Sequence, residues 1–250
     1  MFFLFLFILG LLLGSFLSVL IYRLHTGETG IILGRSFCPH CNHRLSAKDL
    51  VPLISYLIQG GKCRYCKKKI PWHYPVLELS TGLVFVTMAL SGFQPLTLFL
   101  FFSLVLVFIF FYDFLYLEIP DEIMLPSIFI ALVSTFYPTT VSFTNGLLGA
   151  VIISVFFLLQ ILISKGRWLG GGDLRIGAFI GFILGWKLIL VALFMAYLIG
   201  AIISLTLIAT RRLNRKSMIA FGPFLVLGTF IALFWGETMI NWYLNLIFIY

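Results

Sequence analysis

The sequence predicts an all-α polytopic membrane protein with about eight transmembrane helices, six or seven being the alternative count, and one cytoplasmic loop subdomain. Of the 250 residues 61% are apolar and only 10% are charged, and the mean hydropathy is +1.11. A soluble domain carries roughly 25% charged residues. Because only helices and closed barrels satisfy their backbone groups in lipid, we expect the long apolar runs to cross a bilayer as helices.

Eight apolar segments are candidate membrane spans. The first lacks the basic leader and the small-residue cleavage site of a signal peptide, so we interpret it as a retained span. Three others are short for a hydrocarbon core of about 30 Å, which is why six or seven crossings remain an alternative. The predicted spans are 1–22, 76–91, 96–116, 122–137, 143–164, 174–186, 188–210 and 222–246. The corresponding division is a first transmembrane helix at 1–22, a cytoplasmic subdomain at 23–75 and a transmembrane domain at 76–250.

The positive charges predict the orientation of these spans. The formal net charge is +8, and with the proposed spans every Lys and Arg except Lys187 falls on one side of the membrane. Cytoplasmic loops carry the excess of basic residues, so this side is predicted to be cytoplasmic. Topology and contact with anionic lipid headgroups therefore explain the charge, and we expect no nucleic-acid partner.

All four cysteines lie in the polar segment 23–75. They form two C-x-x-C pairs, Cys38 with Cys41 and Cys63 with Cys66. Two such pairs joined by a loop are typical of a zinc site with four thiolate ligands, which leaves no open coordination position and is therefore structural. A pair of disulfides or a redox C-x-x-C is the alternative, and the reducing cytoplasm argues against disulfides. His40, His43 and His73 lie nearby, and we expect them beside the metal site rather than among its ligands.

Two aspartates interrupt apolar sequence at similar predicted depth, just beneath the cytoplasmic face. Asp113 lies near the end of the third span, and Asp173 follows three consecutive glycines. An ionisable group inside a membrane costs about 2.5–3.5 kcal/mol on insertion scales, so such groups are functional candidates. Two carboxylates close together share one proton, and the pair can then activate water and protonate a scissile carbonyl oxygen. Which aspartate is the base stays open. Two separate acids, one of them paired with Arg175 or Arg167, are the alternative.

Residues near these aspartates predict local backbone structure. Gly170, Gly171 and Gly172 predict loose or irregular backbone that lets a substrate strand approach Asp173. Asp121 is expected to cap the N-terminus of the following span.

Two features of the first half of the chain have simple structural interpretations. Gly10, Gly14 and Ser18 share one face of the first helix and predict close packing against another helix. Glu78 is placed in the first turn of the second span, where the helix dipole favours an anion, although an acid at the membrane edge can also contact a ligand.

Together these motifs resemble the bacterial type IV prepilin peptidases of the kind that carries a cytoplasmic cysteine loop, members of the GxGD-type intramembrane aspartic proteases. The similarity covers nearly the whole chain. The motifs that carry it are Gly14-Ser15-Phe16-Leu17 through Tyr22-Arg23, both C-x-x-C pairs, Tyr74-Pro75-x-x-Glu78, Asp113 with Ile119-Pro120-Asp121, Gly170-x-Gly172-Asp173 and Phe221-Gly222-Pro223-Phe224.

The resemblance implies a membrane-embedded aspartic endopeptidase that uses Asp113 and Asp173 as its catalytic pair, with Gly170 and Gly172 supporting the catalytic loop. Such enzymes cut the leader from prepilins or pseudopilins at the cytoplasmic face of the bacterial inner membrane. Many also methylate the new N-terminal residue, usually Phe, with S-adenosylmethionine, and the cysteine loop resembles the zinc-bound loop of that bifunctional form. Glu78 and Arg175 are candidate contacts for substrate or methyl donor. Oligomeric state does not follow from the resemblance.

The sequence departs from the family pattern at two positions. Arg175 stands where Lys is common, and His73 stands where Arg is common. A leader peptidase without methyltransferase activity is therefore the alternative function. From a different class, a transporter or scaffold with proton-relay acids is a further alternative, which substitution of both aspartates tests.

Overall fold

The computed structural model describes residues 1–28, 34–211 and 219–248, and the described residues form helices without a named strand. This confirms the predicted all-α class. In chain order the helices are α1 (Phe2–Thr26), α2 (Ile54–Ile58), α3 (His73–Leu90), α4 (Leu96–Tyr116), α5 (Asp121–Ser134), α6 (Phe143–Ser164), α7 (Gly171–Ala209) and α8 (Gly222–Phe248), with a 3₁₀ turn at Ala47–Asp49.

Within the described ranges, six helices are long and apolar enough to cross a membrane: α1, α3, α4, α6, α7 and α8. The predicted span 122–137 corresponds to α5, which is 14 residues long, and the predicted spans 174–186 and 188–210 both lie within α7. The number of crossings therefore stays a prediction. The chain separates into two compact units, Met1–Phe111 and Tyr112–Tyr250. The predicted domain boundaries at residues 22 and 75 both lie within the first unit, so the predicted division stays a prediction.

In the first unit, α1 and α3 pack against each other through glycines. A Cβ atom at Gly10 would lie 2.7 Å from the Cα atom of Gly82, and one at Gly14 would lie 2.8 Å from the Cα atom of Glu78. The two pairs run in opposite chain directions, so the helices are antiparallel. Ser18, the third small residue of this face, is buried. The predicted close packing of this face is therefore confirmed, because backbones this near have no room for larger side chains.

In the second unit, α7 is divided by a sharp break at Gly185, whose φ and ψ are 70° and 177°. A straight helix of 39 residues would be about 58 Å long, roughly twice the hydrocarbon thickness. The N–H group of Trp186, the first after the break, donates to the Asn145 side chain of α6 at 3.1 Å. A neighbouring helix thus satisfies a group that the break leaves without an intrahelical partner.

The contacts of both α7 segments with α6 show that the chain folds back at this break. In the first segment, Gly181 packs on the backbone of Ala150. In the second segment, the Tyr197 hydroxyl donates to Gln160 at 2.9 Å. The first segment therefore runs antiparallel to α6 and the second parallel to it. The predicted boundary between spans 174–186 and 188–210 coincides with this fold-back to within a few residues.

The close approach of α1 and α3 predicts the effect of adding bulk at their contact. We expect Gly14→Leu to lower the free energy of unfolding by about 1–3 kcal/mol, because the new side chain has to push α3 away. Thermal unfolding of the purified protein in detergent measures the change. Leu12→Phe, which adds bulk on the exposed face of α1, is the control. Equal stability of Gly14→Leu and the wild type would contradict the packing described above.

Candidate active site and cysteine cluster

The side chain of Asp113 lies in the last turns of α4 and is buried, with 6% of its surface exposed. Its Oδ2 atom accepts a hydrogen bond from the backbone N–H of Gly222 at 2.8 Å. Gly222 is the first residue of α8, so this N–H has no partner within its own helix. The positive end of the α8 dipole thereby meets a buried carboxylate.

The side chain of Asp173 lies in the first turn of α7, where its Oδ2 atom accepts the backbone N–H of Gly170 at 3.1 Å. Gly171 and Gly172 are already helical. The prediction of irregular backbone at the glycine run was therefore wrong: the run forms the N-terminus of a helix, where the first N–H groups have no intrahelical partners and a carboxylate can accept one.

Gly170 and Gly172 differ in whether the structure leaves room for a side chain at their positions. A Cβ atom at Gly172 would lie 3.0 Å from the side chain of Ile119, whereas one at Gly170 would meet only the Gly172 nitrogen at 3.9 Å. Absence of a side chain thus matters for packing at Gly172, and Gly170 contributes its N–H group to Asp173.

The structure brings Asp113 and Asp173 close enough for their carboxylates to interact electrostatically. Each carboxylate accepts one backbone N–H at the start of a helix; Asp113 is buried and Asp173 is half-buried. A pair of this kind has the parts that proton transfer to and from a bound peptide requires. The catalytic role of both residues stays a prediction.

Arg175, one residue that the separate-acids alternative would pair with a candidate aspartate, forms its ion pair with Asp121 instead. This pair joins the first turn of α7 to the first turn of α5. The expectation that Asp121 is the N-cap of its helix was wrong, because Pro120 is the N-cap and Asp121 is the first helical residue. Its carboxylate is thus free to reach across to α7.

Several residues around the aspartates were not selected from the sequence. The Tyr197 ring packs against the Phe221 ring with centroids 5.1 Å apart, and the Tyr197 hydroxyl interacts electrostatically with Asp173. Phe221 precedes Gly222, so this ring contact supports the N–H group that meets Asp113. The motif Phe221-Gly222-Pro223-Phe224 could have indicated Gly222 as a site residue. No sequence pattern predicts the hydrogen bond between Tyr197 and Gln160.

Glu78 lies in the first unit and is 9% exposed. It is the sixth residue of α3, so its interpretation as a first-turn acid was wrong. Its Oε2 atom accepts the backbone N–H of Leu53 at 2.8 Å, and its carboxylate also hydrogen-bonds the Ser15 side chain. Glu78 therefore connects α3 to both α1 and the cysteine-containing segment.

The four cysteines of this segment form one cluster, with their sulfur atoms within 4.8 Å of one another. All four are free thiols, which excludes the disulfide alternative in this structure. Both C-x-x-C pairs have the same backbone geometry. An isolated bridge closes each turn, Phe37 with Arg44 and Lys62 with Lys69. Such matched turns present two sulfurs each, and together they provide the four donors of a tetrahedral metal site.

Among the described residues, the group of side chains close enough to share one metal ion consists of the four cysteines alone. The nearby histidines are not part of it. The His43 ring instead packs against the Tyr65 ring at a tilt of 32°, with ring centroids 3.7 Å apart. This contact connects the first cysteine turn to the second.

The pKa values of Cys38 and Cys41 differ. A hydrogen bond with His43 favours the Cys41 thiolate, but burial and the neighbouring sulfur atoms of Cys38 and Cys66 raise the pKa of Cys41 to about 11. Burial opposes ionisation of the Cys38 thiol, but hydrogen bonds from His40 and Cys41 outweigh it and lower the pKa of Cys38 to about 7. A thiol with this pKa is partly thiolate at neutral pH, and the thiolate is the form that binds a metal.

The carboxylate of Asp49, which lies outside the predicted spans, connects parts of the cysteine-containing segment. It pairs with Arg64 at 3.1 Å and accepts the Tyr65 hydroxyl at 3.2 Å. Burial opposes its ionisation, but hydrogen bonds with Ser46 and the charge of Arg64 prevail and lower its pKa. Its contribution to stability is therefore present above the unfolded pKa of about 3.9 and is lost as the pH falls through the lower folded value.

The cluster predicts a metal content that depends on the cysteines and on pH. We expect Cys38→Ser and Cys63→Ser each to reduce bound metal from about one ion per chain to near zero, because three thiolates with one hydroxyl bind much more weakly. Acidification of the wild type should weaken metal binding progressively, since protons compete with the metal for the thiolates. Elemental analysis of purified protein measures both effects. His40→Ala is the control and should keep its metal; full metal retention in both serine variants would refute the site.

Comparison with known proteins gives a consistent result over both units. The family model described as the bacterial peptidase A24 N-terminal domain matches residues 8–91, and that of the type IV leader peptidase family matches residues 100–205. No solved structure matches the chain.

Among curated proteins, the chain is similar to three that carry the name prepilin leader peptidase/N-methyltransferase. Identity is 32% to the protein of Aeromonas hydrophila, over 96% of this chain and 92% of that protein. It is 34% to that of Bacillus subtilis, over 96% and 97%, and 29% to that of Pseudomonas aeruginosa, over 95% and 92%. With more than 30% identity over nearly the full length of two of these relatives, and with its two aspartates and four cysteines gathered as described, the chain belongs to the type IV leader peptidase family.

Proposed function

We propose that this protein is an endopeptidase that cuts the leader peptide from type IV prepilins or pseudopilins and methylates the N-terminal residue that the cut exposes. The names of the curated relatives and the near-complete coverage of both chains support this function. The single observation that carries the peptidase activity is the pair of carboxylates, Asp113 and Asp173, each held by a helix N-terminus within interaction distance of the other.

The geometry supports a hydrolysis in which the aspartates exchange protons with water and substrate. Two carboxylates that approach each other in an apolar environment hold one proton between them, and we propose this state for Asp113 and Asp173. The ionised carboxylate takes a proton from a water molecule, and the oxygen of that water attacks the scissile carbonyl carbon. The protonated carboxyl group donates its proton to the carbonyl oxygen. When the C–N bond breaks, the amine nitrogen receives a proton from the pair. Because the pair acts as a unit, neither aspartate is assigned as base or acid.

The backbone donors have a defined part in this chemistry. The N–H groups of Gly222 and Gly170 each occupy one oxygen of the two aspartates, Oδ2 in both cases. We propose that the Oδ1 atoms are the ones that meet water and substrate. Fixing one oxygen of each carboxylate reduces the number of orientations that the pair samples before reaction.

For the cysteine cluster we propose Zn²⁺ held by Cys38, Cys41, Cys63 and Cys66. Four thiolates in a tetrahedral arrangement are the donor set that structural zinc prefers, and they leave no position for substrate. The metal would fix the fold of the polar segment between α1 and α3. For the methyl transfer we propose S-adenosylmethionine as donor, in keeping with the methyltransferase in the names of the relatives.

We further propose that the protein spans the bacterial inner membrane, with the cysteine segment and the aspartate pair at the cytoplasmic face. The distribution of Lys and Arg in the sequence supports this orientation. Prepilins or pseudopilins and the lipid bilayer are then its partners. Arg175 is no longer favoured as a substrate contact, because Asp121 already binds it.

Substitution of the aspartates tests the peptidase. We expect Asp113→Asn and Asp173→Asn each to slow leader cleavage by roughly 10²–10⁴-fold, because an amide neither accepts nor donates the required proton. The size of a prepilin substrate on a gel reports cleavage, and Glu237→Gln, at an exposed carboxylate of α8, is the matched control. Cleavage at the wild-type rate in both aspartate variants would rule out the peptidase mechanism and favour the transporter or scaffold alternative.

The contact between Gly222 and Asp113 predicts a second effect. A Cβ atom at Gly222 would lie 2.6 Å from the Oδ2 atom of Asp113, so Gly222→Ala should displace the carboxylate. A displacement of about 1 Å costs on the order of 100-fold in rate, and we expect a loss of that size in leader cleavage.

Gly200→Ala is the matched control for this second effect. It adds the same methyl group against the Phe224 ring of α8 at 3.2 Å, where the ring can shift, and should cleave normally. Equal cleavage by Gly222→Ala and Gly200→Ala would contradict the proposed positioning.

A further inference from the structure

A group of exposed apolar side chains lies on the cysteine-containing segment, outside the predicted membrane spans. Its members come from α2 and from the turn before it, and each has between 37% and 78% of its surface exposed: Leu50, Val51, Ile54, Leu57 and Ile58. We call these five residues the α2 patch. Ile54, Leu57 and Ile58 share one face of α2, because residues three and four apart are neighbours on a helix. Exposed apolar side chains gathered in this way mark an interaction surface.

The opposite side of α2 is attached to the cysteine-containing segment. Gln59, which follows the last helical residue, donates to Asp49 at 3.3 Å. The Tyr56 ring lies against Gly61, where an added Cβ atom would be 3.0 Å from the Tyr56 hydroxyl oxygen. Polar groups therefore fix α2 to the segment, and the α2 patch faces away from it.

The hydrogen bond between Leu53 and Glu78 determines the level of the α2 patch along α3. Leu53 immediately precedes α2, and Glu78 lies in the second turn of α3. α3 has 18 residues and is about 27 Å long, so it needs its whole length to cross a hydrocarbon core of about 30 Å. Its second turn then lies at the edge of the hydrocarbon, and the α2 patch starts at the same level.

The exposed face of α3 places the membrane surface at the same end of this helix. Trp72, Val76, Leu79 and Leu83 are all exposed, and their spacing of three or four residues puts them in one stripe. Such a stripe suits contact with lipid. Trp72, the N-cap residue, stands at its cytoplasmic end, and Trp is enriched where hydrocarbon meets water.

The charges beside the α2 patch are positive. Between residues 47 and 72 the only acid in the sequence is Asp49, and it pairs with Arg64. The same stretch contains exposed lysines that are close to the patch in sequence: Lys48, Lys62, Lys67, Lys68 and Lys69. The bridge between Lys62 and Lys69 places these two on one turn shortly after α2.

This combination of charge and apolar surface distinguishes between possible occupants of the patch. Apolar side chains flanked by lysines complement the acyl chains and anionic headgroups of a cytoplasmic leaflet. A second copy of the chain fits less well, because two identical patches facing each other would bring their lysines together.

We propose that the α2 patch inserts into the headgroup region of the cytoplasmic leaflet, with the neighbouring lysines bound to anionic lipids. The proposal rests on the membrane orientation proposed above. It adds a third attachment for the cysteine-containing segment, which α1 and α3 already join to the membrane at its two ends. The apolar faces of interfacial helices are immersed by about 5–10 Å, which covers side chains of this size.

Fluorescence of the full-length protein in lipid vesicles tests the proposal. A fluorescent amino acid is inserted at Ile58 by stop-codon suppression, which leaves the four cysteines unmodified. The vesicles contain phosphatidylcholine and phosphatidylglycerol, with a nitroxide quencher on the acyl chain near its carboxyl end. The same label at Leu57 is a second probe of the patch, and the label at Arg44, an exposed residue of the first cysteine turn, is the control.

We expect the nitroxide to quench the labels at Leu57 and Ile58 at least about two-fold more than the label at Arg44, because only the patch reaches the acyl chains. Quenching at Ile58 should fall in vesicles of phosphatidylcholine alone, where the lysines meet no anionic lipid.

Substitution of lysines tests the electrostatic part. Lys62→Gln combined with Lys67→Gln should lower the quenching at Ile58 in the mixed vesicles, because two of the charges that attract anionic lipid are lost. Lys165→Gln combined with Lys187→Gln removes two exposed lysines of the other unit and is the matched control, which should leave the quenching unchanged.

Absence of quenching at both Leu57 and Ile58, or equal quenching at Ile58 and Arg44, would overturn the lipid contact of the patch. Self-quenching between labelled chains without any effect of the nitroxide would assign the patch to a second copy instead. Leader cleavage is measured on the same vesicles and is independent of this result. A protein that cleaves prepilin without quenching overturns this inference alone, whereas quenching in a protein that cleaves no prepilin overturns the proposed function alone.

Discussion

The contact of a buried carboxylate with the first N–H group of a helix is the interaction on which the candidate active site depends. Asp113 meets Gly222 at the start of α8, and Asp173 meets Gly170 at the start of α7. In an apolar helix bundle few donors are free to solvate an anion, because regular helix uses its own N–H groups. Helix N-termini are the exception, and they add a favourable dipole. The site is thus assembled from the ends of helices, and the absence of a side chain at Gly222 allows the Asp113 carboxylate to approach.

The break at Gly185 determines how the second unit surrounds this site. Residues 173 and 197 would be about 36 Å apart in a straight helix, yet Asp173 and Tyr197 interact. The fold-back brings Tyr197 against Phe221, next to the Gly222 N–H group. The break at Gly185 therefore brings the start of the first α7 segment near the middle of the second.

Much of this arrangement could be predicted from the sequence, and the remainder follows from contacts that periodicity does not encode. Intramembrane acids and paired C-x-x-C turns are rare enough that Asp113, Asp173 and the cysteines stand out by residue type. Close packing of α1 was readable from the spacing of Gly10 and Gly14. In contrast, the Glu78 contact with Leu53 depends on the path of an irregular segment. The helix that carries Glu78 begins at His73, before the predicted span 76–91. The pairing of Arg175 with Asp121 likewise joins two helix starts distant in sequence.

The central claim is that Asp113 and Asp173 act on one peptide bond together. An experimental structure of the protein in lipid, bound to a prepilin peptide whose scissile carbonyl is replaced by a tetrahedral hydroxyl carbon, tests this most directly. We expect one oxygen of each carboxylate to lie about 2.6–3.2 Å from that hydroxyl. A bound peptide whose hydroxyl contacts neither carboxylate, or only one while the other faces lipid, would contradict it.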